Sequence, residues 1–499
     1  MPSFNLGTLS GRSGPTGQAM LFGSGTGFGF NLAGGYDLDG DARPDLLVTR
    51  IGSNGAGTVY DVGGQPNQAA RSLTFGVSND RYGWGIAIGN FNGNLIGDMI
   101  VGSPGAAVGP TSINGGIISA YVDQMSASLS TTWDNYNPNG GTALGSPSTG
   151  NIGDNWGAVI ENVGDLNADG LDDFFIAAPG NDGSSGAGAG ADVGFGYVLY
   201  GSGAAPYSGQ RTAFSALTTG ANGFTISTAP ILEDLGFTSA AGGDVNGNGQ
   251  RDLILGDSSR NLVVVSFAAN VVAGGSLSLS GLTGVNGATF FSSESGALVG
   301  ASVASSDLNG DGRADIIIGA PGAAGGNGRV YIVLGASSYA AGSIDLNAPA
   351  GSGATVIVVT GAGAFGRDVA SIGDFNGDGF NDIVIGSPQA GSNGSGYVMF
   401  GSAGLGTGGA PSLGGPQFLQ LTGVMPGTGW AVSRAGDING DNLQDVALTA
   451  YDSTGLTSGM LYVVYGFQLV VPATNDVRND FNGDGRSDIL WRSTSGDLS

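Results

Sequence analysis

The sequence contains no cysteine, no histidine and no lysine, and only three of its 40 acidic residues are glutamate. Without cysteine the chain can form no disulfide, so the sequence gives no evidence of an oxidising or a reducing compartment. Without cysteine and histidine, metal sites with thiolate or imidazole ligands are excluded. Nucleophiles of the Ser-His-Asp or Cys-His type are excluded for the same reason. All 15 basic residues are arginine and they are not clustered. Because phosphate binding needs grouped basic side chains, we expect no nucleic-acid partner.

Long hydrophobic runs are also missing. No stretch of 18 apolar residues occurs, so no membrane insertion is predicted. The first residues, Met1 to Phe4, have neither a charged segment nor an apolar segment, so no signal peptide is visible.

The sequence is rich in glycine, with 99 among 499 residues, but glycine shows no period of three. Many tight turns are therefore expected rather than a collagen-like helix. Hydrophobic residues make up 40% of the chain, which is too many for a disordered protein. The net charge of −25 comes largely from aspartates that recur in one kind of loop.

That loop has nine residues and occurs eight times. Between Asp307 and Asp315, polar residues alternate at positions 1, 3 and 5, and an aspartate closes the loop at position 9. These side chains, with the backbone carbonyl of position 7, can wrap a hard cation such as calcium, which takes oxygen ligands in irregular geometry. Gly312 at position 6 suits a backbone with positive φ.

Seven of the loops are predicted to bind calcium through positions 1, 3, 5, 7 and 9. The predicted ligands are Asp37, Asp39, Asp41, Arg43 and Asp45; Asp165, Asn167, Asp169, Leu171 and Asp173; Asp244, Asn246, Asn248, Gln250 and Asp252; Asp307, Asn309, Asp311, Arg313 and Asp315; Asp374, Asn376, Asp378, Phe380 and Asp382; Asp437, Asn439, Asp441, Leu443 and Asp445; and Asp480, Asn482, Asp484, Arg486 and Asp488.

The loops differ in charge, and the Asn90 loop is the poorest. It runs Asn90, Asn92, Asn94, Asp98, so it has one carboxylate, and Leu95 stands at position 6. Calcium there is expected to be weak or absent. The alternative for any single loop is a metal-free turn in which Asp and Asn side chains bind their own backbone. Crowded carboxylates argue against that alternative unless a cation or a proton intervenes.

The spacing of the loops indicates a repeat architecture. Each loop is followed by a short apolar run that is typical of a buried strand, and about four short strands are expected per unit. We therefore predict an all-β fold, a seven-bladed β-propeller of four-stranded blades. The N-terminal strands are expected to close the ring by completing the blade that carries Asp437. The segment 4–9 resembles Phe418 to Leu421, which precedes a later loop.

Three segments are predicted along the chain. Residues 1–466 form the propeller, residues 467–479 form a linker, and residues 480–499 begin an incomplete further repeat. The chain is expected to be part of a longer protein.

One repeat carries a resemblance to a known family. Phe365-Gly366, then the loop from Asp374 to Asp382, then Ile383 to Pro388 resemble the FG-GAP repeat, and the similarity covers roughly residues 4–466. This family includes the seven-bladed propeller of integrin α subunits and many bacterial surface and secreted proteins. The resemblance implies that each acidic loop joins two adjacent strands of a blade and binds calcium.

The function predicted from these features is a non-enzymatic adhesion or interaction module. About five to seven structural calcium ions per chain, an extracellular or cell-surface location, and a protein or glycan ligand are expected. Candidate ligand loops are 123–153 and 180–196, with Trp133, Tyr136 and Trp156 nearby. Two alternatives stay open: a carboxylate-based glycosidase or lyase, and a scaffold domain of a larger surface protein. Glu161, Glu233 and Glu294 carry no evident catalytic signature.

Overall fold

The computed structural model describes residues 3–6, 17–21, 27–52, 55–63, 71–75, 79–94, 96–106, 117–121, 142–145, 155, 157–178, 195–202, 223–227, 238–239, 242–267, 276–279, 281–407, 410–451 and 459–467. Their regular structure is almost entirely β-strand, and the one helix among them is α1 (Ala323–Gly326).

The first strands in chain order are β1 (Ser3–Asn5), β2 (Gly17–Leu21), β3 (Phe28–Tyr36), β4 (Asp45–Ile51), β5 (Gly57–Val62), β6 (Arg71–Phe75), β7 (Ile86–Gly89), β8 (Asp98–Ser103), β9 (Ile117–Tyr121), β10 (Thr142–Gly145), β11 (Val159–Gly164), β12 (Asp173–Ala178), β13 (Phe195–Leu199), β14 (Gly223–Ser227), β15 (Thr238–Ser239) and β16 (Leu253–Asp257). The remaining strands are β17 (Leu262–Ser266), β18 (Ser276–Ser278), β19 (Gly287–Phe291), β20 (Ser302–Ser306), β21 (Asp315–Ala320), β22 (Arg329–Val333), β23 (Ser343–Asp345), β24 (Val356–Thr360), β25 (Val369–Gly373), β26 (Asp382–Ser387), β27 (Ser395–Met399), β28 (Phe418–Thr422), β29 (Thr428–Gly436), β30 (Asp445–Ala450) and β31 (Met460–Val464).

The strands form seven sheets, numbered here by the acidic loops they carry along the chain. Sheet 1 is β3-β4-β5-β6, sheet 2 is β7-β8-β9-β10, sheet 3 is β11-β12-β13-β14-β18, sheet 4 is β15-β16-β17-β19-β23, sheet 5 is β20-β21-β22-β24, sheet 6 is β25-β26-β27-β28-β1, and sheet 7 is β29-β30-β31-β2. The first strands of neighbouring sheets contact one another in the order β3, β7, β11, β15, β20, β25, β29, and β29 contacts β3. The fold is therefore an all-β propeller.

The prediction of four-stranded blades is wrong for three of the sheets. Sheets 3, 4 and 6 carry a fifth strand, and in each case it pairs in parallel: β18 with β14, β23 with β19, and β1 with β28. Each added strand is far along the chain from the strand with which it pairs, and it covers the outer edge of that sheet. An exposed sheet edge is a template for unwanted pairing, so the added strand protects it.

The predicted N-terminal clasp is present, but a different segment makes it. β2 lies antiparallel to β31 and completes sheet 7, with Ala19 opposite Tyr462. The segment 4–9 was expected in that place. Its first residues belong to β1 instead, where Phe4 lies opposite Leu421 of sheet 6. The N-terminal segment thus ties two sheets at once.

The core lies between adjacent sheets. The second strand of a sheet is a largely apolar run; β21 and β26 are buried along their whole length, and the last two residues of β4 are half-buried. Ile317 and Ile332 of sheet 5, for example, belong to the same buried cluster as Ile383 and Met399 of sheet 6. Burial on both faces explains why these runs are continuous rather than alternating.

Two glycines allow adjacent sheets to approach each other. Gly366 has φ +81° and its N–H donates to the carbonyl of Gly386 at 3.0 Å. A Cβ added to Gly319 of sheet 5 would lie 2.2 Å from the carbonyl oxygen of Gly366. Phe365 beside it is fully buried and packs edge-on against Tyr397 at 5.4 Å. Phe365-Gly366 before β25 and Gly319-Ala320 at the end of β21 are therefore the two sides of one packed seam.

Candidate metal centres and the opposite face

Each of the seven described acidic loops joins the first strand of its sheet to the second, so all of them lie on one face of the propeller. In the Asp307 loop, Asp307 accepts backbone N–H bonds from Asp311 at 3.2 Å and from Gly312 at 2.9 Å. Asn309 accepts the N–H of Asp311, and Asp311 accepts the N–H of Arg313, each at 2.9 Å. The side chains at positions 1, 3 and 5 therefore fold over their own backbone.

The loop backbone has the conformation that was predicted from Gly312, with φ +84° at position 6. The same positive φ occurs at Ala42 and Asn442, which occupy this position in their loops. Those two residues show that the loop imposes the conformation even where a Cβ makes it less favourable.

The aspartate at position 9 is buried and held at both oxygens. Asp315 accepts the N–H of Leu308 at 3.0 Å and the N–H of Gly335 at 2.9 Å. Burial raises the pKa of Asp315 to about 7, the two N–H bonds oppose that rise, and the charges of Asp311 and Asp307 add to it. The pKa is also raised to about 7 at Asp173, Asp382 and Asp445. Negative charge is thus concentrated where burial disfavours it.

The Asp37 loop comes nearest to a preformed cation site. Carboxylate oxygens of Asp37, Asp39 and Asp45 all lie within 4.8 Å of one another. In the same loop, Oδ2 of Asp41 is buried and has no hydrogen-bond partner among the described residues. Buried charged oxygens are normally paired, so this arrangement fits a hard cation that takes oxygen ligands.

Four other loops carry three carboxylates each and bridge two of their side chains by a hydrogen bond. The amide of position 3 donates to the carboxylate of position 5 at 2.9 to 3.1 Å, at Asn167, Asn309, Asn376 and Asn439. The Asp244 loop has asparagine at both positions 3 and 5, and there Asn246 donates to Asp252 at 3.3 Å.

The Asn90 loop forms the same turn with little charge. Asn90 accepts the N–H of Gly93 at 2.9 Å, and Asn94 accepts the N–H of Ile96 at 2.8 Å. The turn geometry therefore needs only a side-chain oxygen at these positions and no carboxylate.

The loops also contact one another around the face, which the sequence did not reveal. The side chain at position 7 packs near the glycine at position 4 of the preceding loop, as Phe380 does with Gly310. The backbone N–H of Ala314, at position 8, donates to the carbonyl of Asp244 at 2.9 Å. Arg43 donates to the carbonyl of Ile438 at 3.0 Å and joins the first loop to the last one in the ring. Because of these contacts, a loop in a fixed conformation stabilises the conformation of the neighbouring loop.

Asp172, at position 8 of the Asp165 loop, accepts hydrogen bonds from residues of three sheets. Its Oδ2 accepts the phenol O–H of Tyr36 at 2.7 Å, the N–H of Asn90 at 2.8 Å and the amide of Asn162 at 3.2 Å. Burial, followed by the charge of Asp172, raises the pKa of Tyr36 to about 12. The Asp172 carboxylate thus joins sheets 1, 2 and 3.

The opposite face carries a row of aromatic rings with an arginine at each end. Its members are Arg81, Trp84, Phe30, Tyr451, Trp430 and Arg367, called here the aromatic row. Arg367 lies 4.3 Å over the ring of Trp430, which lies 4.6 Å from the ring of Tyr451. The four rings and Arg367 are half-buried, and Arg81 is exposed. The row crosses sheets 6, 7, 1 and 2 at the mouth of the central channel.

The central channel has a volume of about 650 Å³ and is lined by the first strands of the sheets. Glu161 and Asp368 both line it. Burial raises the pKa of Glu161 to about 8, and the charge of Asp368 adds to that rise. Burial also raises the pKa of Asp368, although bonds from Val432 and Ser302 oppose it.

Some predicted residues lie outside the described part of the chain. These are the Asp480 loop, with Asn482, Asp484, Arg486 and Asp488, the proposed linker beyond Phe467, and the aromatic residues Trp133, Tyr136 and Trp156. Glu233 is outside as well, whereas Glu294 pairs with Arg329. Among the described residues, no helix has the length and apolar character needed to cross a membrane.

Comparison with known proteins agrees with this geometry. The model of the FG-GAP repeat matches residues 299–333 and 365–399. The first segment contains the Asp307 loop between Val299-Gly300 and Gly319-Ala320-Pro321, and the second contains the Asp374 loop between Phe365-Gly366 and Gly386-Ser387-Pro388. Two FG-GAP repeats therefore lie in neighbouring sheets of this propeller.

Several integrins are similar to it in sequence. Integrin alpha pat-2 of Caenorhabditis elegans is 30% identical over 243 residues, which cover 43% of this chain and 18% of that protein. Integrin alpha-IIb of Mus musculus is 32% identical over 184 residues, 35% of this chain and 16% of that protein. Phosphatidylinositol-glycan-specific phospholipase D of Rattus norvegicus is 29% identical over 205 residues, 38% of this chain and 23% of that protein. The matched region thus spans less than a quarter of these relatives.

Proposed function

We propose that this chain is a calcium-stabilised propeller of seven blades, one for each sheet, that acts as an extracellular adhesion or interaction module. The observation that carries the calcium part is the Asp37 loop, with three carboxylates within 4.8 Å and a buried, unpaired oxygen on Asp41. The observation that supports the interaction part is the aromatic row on the opposite face.

Calcium would have a structural role. Bound at positions 1, 3, 5, 7 and 9, it would neutralise the carboxylates of the loop. Burial, and after it the charges of Asp311 and Asp307, raise the pKa of Asp315, so a cation beside them would be favourable. Because the loops contact one another, each ion would also stabilise the neighbouring loop. We expect about five to seven ions per chain, with the Asn90 loop weakest and the Asp480 loop included.

An extracellular or cell-surface location follows from the chemistry of such sites. Oxygen-only loops of this kind bind calcium with dissociation constants on the order of 10⁻⁴ to 10⁻³ M in extracellular modules, where calcium is millimolar. The similarity to integrin α subunits supports the same location. We further propose that residues 1–466 form the propeller, 467–479 a linker, and 480–499 the start of another repeat of a longer protein.

The ligand is proposed to be a protein or a glycan that docks on the aromatic row. Large half-buried aromatic and arginine side chains are the residue types that dominate binding energy at protein interfaces. Among the described residues, the equivalent positions of sheets 3 and 5 are Ala158 and Ala301, which do not extend the row.

A binding experiment in calcium tests this proposal. Arrays of extracellular-matrix proteins and of glycans are probed with the full chain, with Trp430→Ala, and with the control Val285→Ala, whose side chain is 72% exposed outside the row. We expect binding that falls at least about tenfold for Trp430→Ala, since interface tryptophans often contribute 2 kcal/mol or more. Absence of binding, or equal loss in both variants, contradicts the proposal.

Catalysis is a second candidate, because Glu161 and Asp368 are two carboxylates in one cavity and Glu161 is protonated at neutral pH. A protonated carboxyl beside a second carboxylate is the arrangement that glycoside hydrolysis uses. Release of reducing ends from polysaccharides, abolished by Glu161→Gln, would support it. If no polysaccharide is cleaved, catalysis is rejected and the interaction module remains the proposed function.

A further inference from the structure

Asn248 stands where most of the other acidic loops have an aspartate. It occupies position 5 of the Asp244 loop; that position is Asn94 in the Asn90 loop and an aspartate in the remaining loops, namely Asp41, Asp169, Asp311, Asp378, Asp441 and Asp484. Gly249 follows it directly. An asparagine followed by glycine is the pair most prone to lose its side-chain amide, because glycine leaves the backbone nitrogen unhindered.

The surroundings of Gly249 favour attack by its backbone nitrogen. Asn248 and Gly249 are both exposed, and a Cβ added to Gly249 would meet nothing within 4 Å. The N–H of Gly249 donates to Oδ2 of Asp244 at 2.7 Å. A carboxylate so placed can accept the proton when the nitrogen attacks.

The side-chain amide of Asn248 is also arranged for reaction. Its carbonyl oxygen accepts the backbone N–H of Gln250 at 2.8 Å, which polarises the carbonyl and stabilises negative charge on the oxygen. Its NH2 group, the group that must leave, makes no hydrogen bond among the described residues.

Asn248 differs in this respect from every other described asparagine that precedes a glycine. In all of those the NH2 group donates a hydrogen bond: Asn92, Asn246, Asn286, Asn309, Asn327, Asn376, Asn393 and Asn439. The chain therefore contains its own internal controls.

We propose that Asn248 is a site of spontaneous deamidation, assisted by Asp244, that places a third carboxylate in this loop. The nitrogen of Gly249 forms a bond to Cγ of Asn248, and its proton passes to Asp244. The bond from Cγ to the side-chain nitrogen breaks, and that nitrogen leaves as ammonia after it gains the proton. Water then opens the five-membered imide and yields aspartate or isoaspartate.

The aspartate product gives this loop the carboxylates of the Asp307 loop at positions 1, 5 and 9. The isoaspartate product adds a carbon to the backbone and removes the bond from Gln250. Only the consequence for calcium rests on the proposed function; the modification itself does not.

The test follows deamidation by peptide mass spectrometry in the full chain. The folded protein is incubated in mildly alkaline, calcium-free buffer, with a urea-unfolded sample as reference. We expect Asn248 to convert about tenfold faster than Asn309 in the folded protein, the factor equivalent to one hydrogen bond held by the reacting amide. In urea the two should convert alike. Equal rates in the folded protein overturn the proposal.

A variant separates the role of Asp244 from that of exposure. Asp244→Asn should keep the turn, because the Asn90 loop forms its turn with asparagine at position 1. It should slow the conversion of Asn248 by about a hundredfold, the lower end of what a positioned general base contributes. If Asp244→Asn does not fold, Asn90→Asp is the reciprocal test and should accelerate the conversion of Asn92. A rate unchanged by the variant that folds contradicts assistance by the carboxylate.

Discussion

The charge at positions 1 and 5 of one loop offers the sharpest test of the calcium assignment. Asp307→Asn with Asp311→Asn reduces the Asp307 loop from three carboxylates to one, as in the Asn90 loop. The Asn90 loop forms the same turn with asparagine at both positions, so the double variant is expected to keep its backbone. Only the affinity for a cation should change.

The magnitude follows from linkage. With a dissociation constant on the order of 10⁻⁴ to 10⁻³ M, calcium at about 10 mM stabilises the folded state by about 1.4 to 2.7 kcal/mol per site. The double variant should lose that amount in calcium. In EDTA it should be no less stable than the parent, because two charges that raise the pKa of Asp315 have been removed.

The assay combines a metal count by native mass spectrometry with urea unfolding in calcium and in EDTA. We expect one calcium fewer per chain, and a loss of stability that appears in calcium alone. Asp345→Asn, a carboxylate outside the loops, is the control and should change neither quantity. An unchanged metal count, or an equal loss of stability in EDTA, would refute the calcium assignment for this loop.

Three further predictions concern the fold and its charges. Gly319→Ala places a Cβ 2.2 Å from the carbonyl oxygen of Gly366 and should lower the free energy of unfolding by about 1 to 3 kcal/mol in the same urea experiment. The control Gly414→Ala adds its Cβ to open space and should leave the free energy of unfolding unchanged. In EDTA, stability should fall as pH rises from about 4 to 7. The pKa of Asp173, Asp315, Asp382 and Asp445 is about 7 in the folded state against 3.8 ordinarily, so the folded state binds more protons; equal urea midpoints at the two ends contradict this. Ala19→Pro removes a backbone donor from β2, so it should lower the melting temperature measured by circular dichroism, and an unchanged value would show that the clasp adds no stability.

Much of the fold could be predicted because it is repeated. The acidic loop and the apolar run after it recur in fixed order, and each described recurrence is one sheet. The clasp was harder to place. Phe4 and Leu421 lie in similar short apolar segments, and such segments can pair either as the closing strand or as an added edge strand. Composition does not separate these outcomes.

The site was predicted in its chemistry but not in its connections. The ligand positions and the positive φ at Gly312 follow from one loop read by itself. The contact of Phe380 with Gly310 joins loops about 70 residues apart, and no local pattern encodes it. The three-sheet role of Asp172 was missed for the same reason, since its partners Tyr36, Asn90 and Asn162 are distant in sequence.

The two interpretations of the acidic loop, metal-free turn and calcium site, are not exclusive. Asn and Asp at positions 1, 3 and 5 both accept the backbone N–H groups that shape the turn, as Asn90 and Asp307 do. Hydrogen bonding therefore fixes the shape, and charge is left to vary from loop to loop without loss of the fold. Six described loops nevertheless carry more carboxylate than the turn needs, and burial penalises it at position 9. The extra carboxylates become favourable when they bind a cation. We therefore expect the calcium affinity of a loop to follow the number of its carboxylates rather than the geometry of its backbone.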